Sequence, residues 1–274
     1  SYRVAICTAG AMASYPLIGA ASHHETILLA AQSLHASGYG LGMLQIDTSL
    51  PLADTARRLA QEDVDGFLFV DFTADFLDKI LFSLAEKRIP AVSVGTPLDA
   101  RAPDCSWAAI DREGSFAAGA SYLLGQGLRR LAMLDIDLPK THAAAKRRGY
   151  ERAMRSRGLD PLPLFATRSR TAAAAIEATQ QMISQVPDVE GVLLTDNFYA
   201  PLVQHALAGR PVRILGFGDD AYAQLCEPKL SYMRLPVGPM AQACADHILE
   251  WIVRPKERRP FQRLFSSDLV LQQT

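Results

Sequence analysis

Few residues in this 274-residue chain have the spacing that bond-making chemistry requires. A serine nucleophile on a tight elbow needs G-x-S-x-G, a helical zinc site needs H-E-x-x-H, and a phosphate cradle needs the P-loop or a glycine-rich turn after the first strand. None of these occurs. The first loop, Ala9-Gly10-Ala11-Met12-Ala13-Ser14-Tyr15, is rich in small residues but lacks the glycine spacing that admits a dinucleotide. His23 and His24 are neighbours, so on a helix they point apart and make a poor metal pair. Cys7, Cys105, Cys226 and Cys244 form no C-x-x-C pair and no Cys/His set with zinc spacing. Lone cysteines in apolar runs act as small core hydrophobes, and their use here fits a reducing cytosol. These residues predict no catalysis, no metal and no cofactor; what remains is binding.

The charge balance narrows the partners. Lys and Arg number 28 against 29 Asp and Glu, a net charge of −1, so no whole-chain basic field holds this chain on nucleic acid or an anionic membrane. If it acts on DNA, the reading head lies elsewhere. Hydrophobic residues make up 49% and charged ones 21%, which suits a packed globular chain rather than a disordered one. No apolar run approaches the roughly 18 residues that span a bilayer. The chain opens directly on the apolar run Val4 to Thr8 with no secretory signal, pointing to a trimmed chain or to a mature protein that has lost its leader.

Binding residues need elements to position them, and the rhythm of the chain supplies these. Short apolar runs alternate with amphipathic stretches, the pattern of βαβ units and a parallel sheet. Strands are predicted at Val4–Thr8, Leu41–Ile46, Gly66–Val70, Ala91–Val94, Trp107–Ile110 and Leu131–Asp135. The rhythm restarts with strands at Leu162–Phe165, Gly191–Leu194, Val212–Phe217 and Leu230–Leu235, and the tail from Gln262 to Leu271 reads as one or two more. Helices fill the intervals. The first is predicted from Ser22 to Ala36, opened by an S-x-x-E capping box at Ser22 and Glu25 and closed at Gly38. The fold class is α/β: two doubly wound parallel-sheet lobes facing a cleft, with ligand expected at the carboxyl ends of the strands.

Several stretches in this order resemble the LacI/GalR regulators, whose core is like the type I periplasmic sugar-binding proteins. They are Val64-Asp65-Gly66-Phe67-Leu68, Ile110-Asp111-Arg112 through Leu124-Gly125-Gln126-Gly127, and Arg148-Gly149-Tyr150 with Gly158-Leu159. Thr195-Asp196-Asn197-Phe198-Tyr199-Ala200, Ile214-Leu215-Gly216-Phe217 and Pro228-Lys229-Leu230-Ser231 with Arg234-Leu235-Pro236 complete the set. The resemblance implies two lobes joined by three crossings, near Ile136–Pro139, Leu235–Pro236 and Phe261–Leu264. It places 1–137 plus 236–260 in the N-terminal lobe and 138–235 plus 261–274 in the C-terminal lobe. It also implies a helix-turn-helix domain, absent from this chain, that reads operator DNA as part of a homodimer.

Carried over position by position, the resemblance gives ligand-facing candidates at His23, Asp111, Lys146, Arg170, Asp196 and Asp219. His23 falls where some members stack an aromatic on the effector, and equally reads as a solvated first-turn histidine. Asp111 either bonds a ligand hydroxyl or caps the following helix. Lys146 stands at the effector-binding arginine, followed by Arg147 and Arg148, and Arg170 at the aromatic that covers a sugar face. The aspartate that bonds sugar hydroxyls is replaced by Gly218. Cations in place of that aspartate favour an anionic effector, a sugar acid or sugar phosphate, held by charge-assisted hydrogen bonds. Solvated helix charges are the plainer reading of the same cations.

The stretch from Phe67 to Phe82 carries more large apolar groups than one strand and helix need. With the resemblance, this implies a homodimer interface at Phe72, Phe76 and Ile80, joined by Tyr222 and Leu225 from the other lobe. The expectation is the effector-binding and dimerisation core of a cytoplasmic repressor. The alternative is a periplasmic solute-binding protein of a sugar transport system, against which the paired arginines weigh weakly.

Overall fold

The computed structural model describes residues 3–9, 21–70, 72–98, 105–135, 140–167, 169, 171–257 and 259–272. The elements run β1 (Arg3–Ala9), α1 (Ala21–Ala36), β2 (Gly40–Ile46), α2 (Leu52–Leu59), β3 (Gly66–Val70), α3 (Ala74–Glu86), β4 (Ala91–Gly95), β5 (Ser106–Ile110) and α4 (Arg112–Gly125). They continue with β6 (Leu131–Asp135), α5 (Lys140–Ser156), β7 (Leu164–Ala166), α6 (Ala172–Gln185), β8 (Gly191–Leu194), α7 (Ala200–Ala206) and β9 (Arg213–Gly218). Last come α8 (Asp220–Gln224), β10 (Ser231–Arg234), α9 (Val237–Val253), β11 (Gln262–Phe265) and β12 (Asp268–Val270).

Two compact units result, 1–110 with 236–265 and 111–235 with 266–274. Each holds a six-stranded sheet among the described residues, ordered β11-β5-β4-β3-β1-β2 in the first and β12-β10-β9-β8-β6-β7 in the second. Pairing is parallel except where β12 runs antiparallel to β10. The α/β class and the doubly wound parallel sheets expected from the rhythm are both present. Strands such as β3 and β6 are buried at every residue, as strands covered on both faces must be.

The first crossing lies after Ile110 and not near Ile136–Pro139. Strand β6 bonds to β7 and β8, in the second sheet. Helix α4 packs there too, with Gly119 facing Leu193, Leu215 and Met233. Ile110-Asp111-Arg112 passes from one unit to the next with no proline or glycine to mark it, whereas Pro139 drew the expectation downstream. The tail likewise changes sheet between Phe265 and Ser266.

Two helix ends were also predicted. Gly38 closes α1 in the left-handed region, at φ +82°, its N–H donating to the His35 carbonyl at 2.9 Å. The capping box at the other end does not form, because Ser22 lies inside α1 and its carbonyl accepts from the Thr26 hydroxyl at 2.7 Å.

In the second unit α4 and α5 lie together because residue 149 is glycine. A Cβ there would collide with the Glu113 carbonyl. Tyr150, the next residue, is buried and donates to the Leu131 carbonyl at 2.7 Å while accepting from the Leu162 N–H at 2.9 Å. These contacts fix the rotation of α5, and so the place of Lys146 one turn earlier.

Candidate functional site

Strands β6, β8 and β9 are parallel neighbours, so their carboxyl ends share one edge of the second sheet. Asp135 closes the otherwise apolar β6, and the Thr195 N–H reaches back to the Leu134 carbonyl at 3.2 Å. Beyond β8 the chain reads Thr195-Asp196-Asn197. The Asp196 carboxylate accepts from the Phe198 N–H at 2.9 Å and starts a single 3-10 turn over Asn197–Tyr199.

Asn197 is fully buried and donates from its amide to the Asp219 carbonyl at 3.1 Å. It ties the end of β8 to that of β9. Its side chain lies so close to Gly216 that a Cβ there would collide with the amide oxygen. The glycine of the resemblance motif Leu215-Gly216-Phe217 therefore has a local reason: the strand must leave room for Asn197.

Lys146 enters this edge from α5. It is 2% exposed, and its ammonium donates to the Thr195 carbonyl at 2.9 Å. The Nζ also lies 4.9 Å from the centre of the Phe217 ring and 5.6 Å from that of Phe116, within range of cation–π attraction. The other two basic residues of the run face outward, Arg147 pairing with Glu151 at 2.6 Å and Arg148 with Glu113 at 2.9 Å. Only Lys146 of the three is part of the strand-end group. Reading it as a solvated helix charge is incorrect, whereas for Arg147 and Arg148 that reading holds.

Strand alternation places Asp135 on the same face as Met133 and, by register, as Thr195 and Leu193. Leu193 and its partner Leu215 meet α4 at Gly119, so this is the face covered by α4 and α5. Asp135 is 4% exposed, and its Oδ1 has no hydrogen-bond partner. On the far side of the group, Tyr222 is half-buried with its ring 5.2 Å from that of Phe198, edge to face. Burial raises the pKa of its hydroxyl, and the carboxylates of Asp219 and Asp196 raise it further. Asp196, Asp219 and Tyr222 thus share one electrostatic neighbourhood.

The remaining candidates separate from this group. Asp111 caps α4, its carboxylate accepting from the Gly114 N–H at 2.8 Å, which favours the cap over the ligand contact. His23 sits half-buried in the first turn of α1, in the first unit. Arg170 and most of the loop from Ala9 to Ala21 lie outside the described residues. Asp135, Asn197 and Phe198 went unassigned from the sequence. The available signal for Asp135 was a single acid closing the apolar run Leu131-Ala132-Met133-Leu134. Among the described residues no group of three or more His, Cys, Asp or Glu could hold a metal, and no helix is long and apolar enough to cross a membrane.

Strand-end polar groups on a doubly wound sheet are shared by many folds, so the sequence relationship decides the family. The sequence model described as the periplasmic binding protein-like domain matches residues 120–274. The chain belongs to this periplasmic binding protein-like family. Its curated relatives in sequence are helix-turn-helix transcriptional regulators. It is 25% identical over 195 residues to the HTH-type transcriptional regulator GntR of Escherichia coli, covering 68% of this chain and 57% of that protein. It is 32% identical over 108 residues to the HTH-type transcriptional regulator Rv3575c of Mycobacterium tuberculosis, covering 39% of this chain and 29% of that protein. The chain therefore spans between about a third and just over half of these curated relatives.

Solved structures agree on the fold. A LacI-family regulatory protein from Chloroflexus aggregans superposes with a TM-score of 0.82 at 19% identity, covering 98% of this chain and 97% of that one. The transcriptional regulator CelR in complex with cellobiose superposes with a TM-score of 0.81 at 20% identity, covering 98% and 83%. Asp135, Asp196 and Asp219 lie at or just past strand carboxyl ends, the edge at which doubly wound sheets bind ligands, and Lys146 reaches that edge from α5.

Proposed function

We propose that this chain is the effector-binding and dimerisation core of a cytoplasmic LacI-type repressor, and that a neutral polyhydroxylated metabolite binds at the carboxyl ends of β6, β8 and β9. The observation that carries the ligand class is the strand-end group itself, in which, among the described residues, Asp135, Asp196 and Asp219 outnumber the cation Lys146. Carboxylates accept hydrogen bonds from hydroxyls, and they oppose a second anion in a partly desolvated site. The regulator relatives support the DNA-linked role over transport of a solute, and the operator would be read by a helix-turn-helix domain outside this chain. The effector would bias one of two states of the repressor, with a coupling of about 1–3 kcal/mol.

The anionic effector expected from the cation run is the second reading, favoured by the burial of the Lys146 ammonium. It loses weight because Arg147 and Arg148 are engaged by Glu151 and Glu113. Thermal denaturation against neutral sugars paired with their acids and phosphates separates the two. A ligand at 100 times its dissociation constant adds about 2.7 kcal/mol. A midpoint raised by neutral sugars alone supports the leading reading, and one raised by anions alone reverses it.

Homodimerisation remains part of the proposal, on a revised surface. Phe72, Phe76 and Ile80 are core: they are at most 7% exposed and pack with Phe69, Leu77 and Leu84. Their density serves the interior of the first unit. Leu225, 70% exposed beside the half-buried Tyr222, supports the second-unit contact. In the first unit the exposed Leu28, Leu41 and Met43 on α1 and the edge strand β2 are the better candidates. Equilibrium sedimentation at tens of micromolar checks this, and a monomer at that concentration rejects it.

A further inference from the structure

We infer that Asp135 determines the charge of the ligand this chain accepts: its carboxylate takes a hydroxyl hydrogen of a neutral ligand and turns away the corresponding acid. The inference rests on the proposed effector site and assigns it a residue that the sequence motifs do not mark. Asp135 is 96% removed from solvent, at the end of β6, and its Oδ1 accepts no hydrogen bond. A buried carboxylate oxygen without a donor is unfavourable, and it persists where something outside the chain supplies the donor.

The donor has a defined place. Asp135 is level with Thr195 across β6 and β8, on the sheet face covered by α4 and α5, and Thr195 is the residue whose carbonyl receives the Lys146 ammonium. One strand end thus offers an acceptor and the next a donor-bearing cation, both nearly buried. On the neighbouring β9, Gly218 contributes no side chain, and at φ +146° with Asn197 packed against it a side chain there would be strained and crowded. The carboxylate at this part of the edge comes from β6. A ligand with adjacent hydroxyls can give a hydrogen to Asp135 while receiving one from Lys146. A ligand carboxylate or phosphate could also accept from Lys146 but would place its charge against Asp135, with little water to screen the pair.

The test uses isothermal titration of the whole chain with glucose, gluconate, cellobiose and cellobionate, in the wild type, Asp135→Asn and Asp135→Ser. Asparagine preserves shape and removes charge, and serine guards against a misfitting amide. Expected is binding of at least one neutral sugar by the wild type, a drop of about tenfold or more in that affinity in both variants, and a gain for the matching acid. The unliganded variants are expected to melt no lower than the wild type, because a desolvated charge has been removed. Equal affinity for the neutral sugar in wild type and variants, the outcome if an ordered water alone meets Asp135, overturns the inference and leaves the effector site standing. A wild type that binds only the acids, or none of the four, overturns the polyhydroxylated-effector reading and this inference with it.

Discussion

The two units share a topology and differ in what they bury. In the first, the buried polar side chains among the described residues are neutral hydroxyls: Thr26, Thr55, Ser93, Thr96 and Ser106. One of its strand ends is closed internally, where the Thr96 hydroxyl donates to the Phe72 carbonyl at 2.8 Å, and its centre is a run of phenylalanine contacts from Phe67 through Phe69 and Phe72 to Phe76. Among its described residues the second unit buries two charged side chains, Asp135 and Lys146, at one sheet edge. Burying charge costs several kcal/mol per ion and is retained where a function needs it. The comparison divides the labour: the first unit is built to be stable, the second to discriminate.

Breaking the stable half is expected to have the largest effect on folding and none on ligand preference. Phe69 is fully buried, with ring contacts to both Phe67 and Phe72. Phe69→Ala is expected to lower stability by about 3–5 kcal/mol in urea denaturation, and whatever folded protein remains is expected to rank neutral and acidic sugars as the wild type does. A changed ranking would show that the division of labour is wrong.

The next effect is smaller and lies in the second unit. Tyr150→Phe strands the Leu131 carbonyl and the Leu162 N–H, both met by the buried hydroxyl, and is expected to cost about 1–3 kcal/mol. Lys146→Met tests the discriminating edge more directly. It loses one hydrogen bond to the Thr195 carbonyl, of about 1 kcal/mol, but also removes a desolvated ammonium, so the midpoint in denaturant is expected to move little. Affinity for the effector is expected to fall at least about tenfold. A large loss of stability with unchanged affinity would make Lys146 a structural residue.

Much of the fold was legible because periodicity reports burial, and burial on both faces of β3 and β6 leaves apolar runs whose shortness sets them apart from a buried helix. The division between units was not, since Ile110-Asp111-Arg112 is compatible with either sheet and only long-range strand pairing separates them. Site residues were legible where they sit in motifs, as with Asp196, and obscure where their role depends on a neighbour far along the chain. Lys146 could not be told from Arg147 and Arg148 until the rotation of α5, set by Gly149 and Tyr150, turned one inward and two outward. The same limit misled at Phe72, Phe76 and Ile80, where apolar density on a helix and strand describes a core as well as an interface.

The smallest expected effect concerns acid, and it also belongs to the second unit. Glu151 is held below the usual carboxylate range, first by the hydrogen bond from Arg147, despite a small opposing effect of burial. Glu190 is held low by the backbone N–H groups of Arg129 and Arg130. A carboxylate with a lowered folded pKa contributes stability above its unfolded pKa, about 4.3, and loses it as the pH falls through the folded value. Both groups are half-buried and their Arg partners are exposed, so each contributes only about 0.2–1 kcal/mol. Denaturant unfolding followed from pH 7 to pH 3 is therefore expected to show a shallow decline beginning below about pH 5. Glu151→Gln is expected to flatten part of that decline while leaving effector preference at neutral pH unchanged, because the α5 surface it occupies is the outward one. A loss of preference in that variant would mean that the outward cations of α5 also reach the ligand.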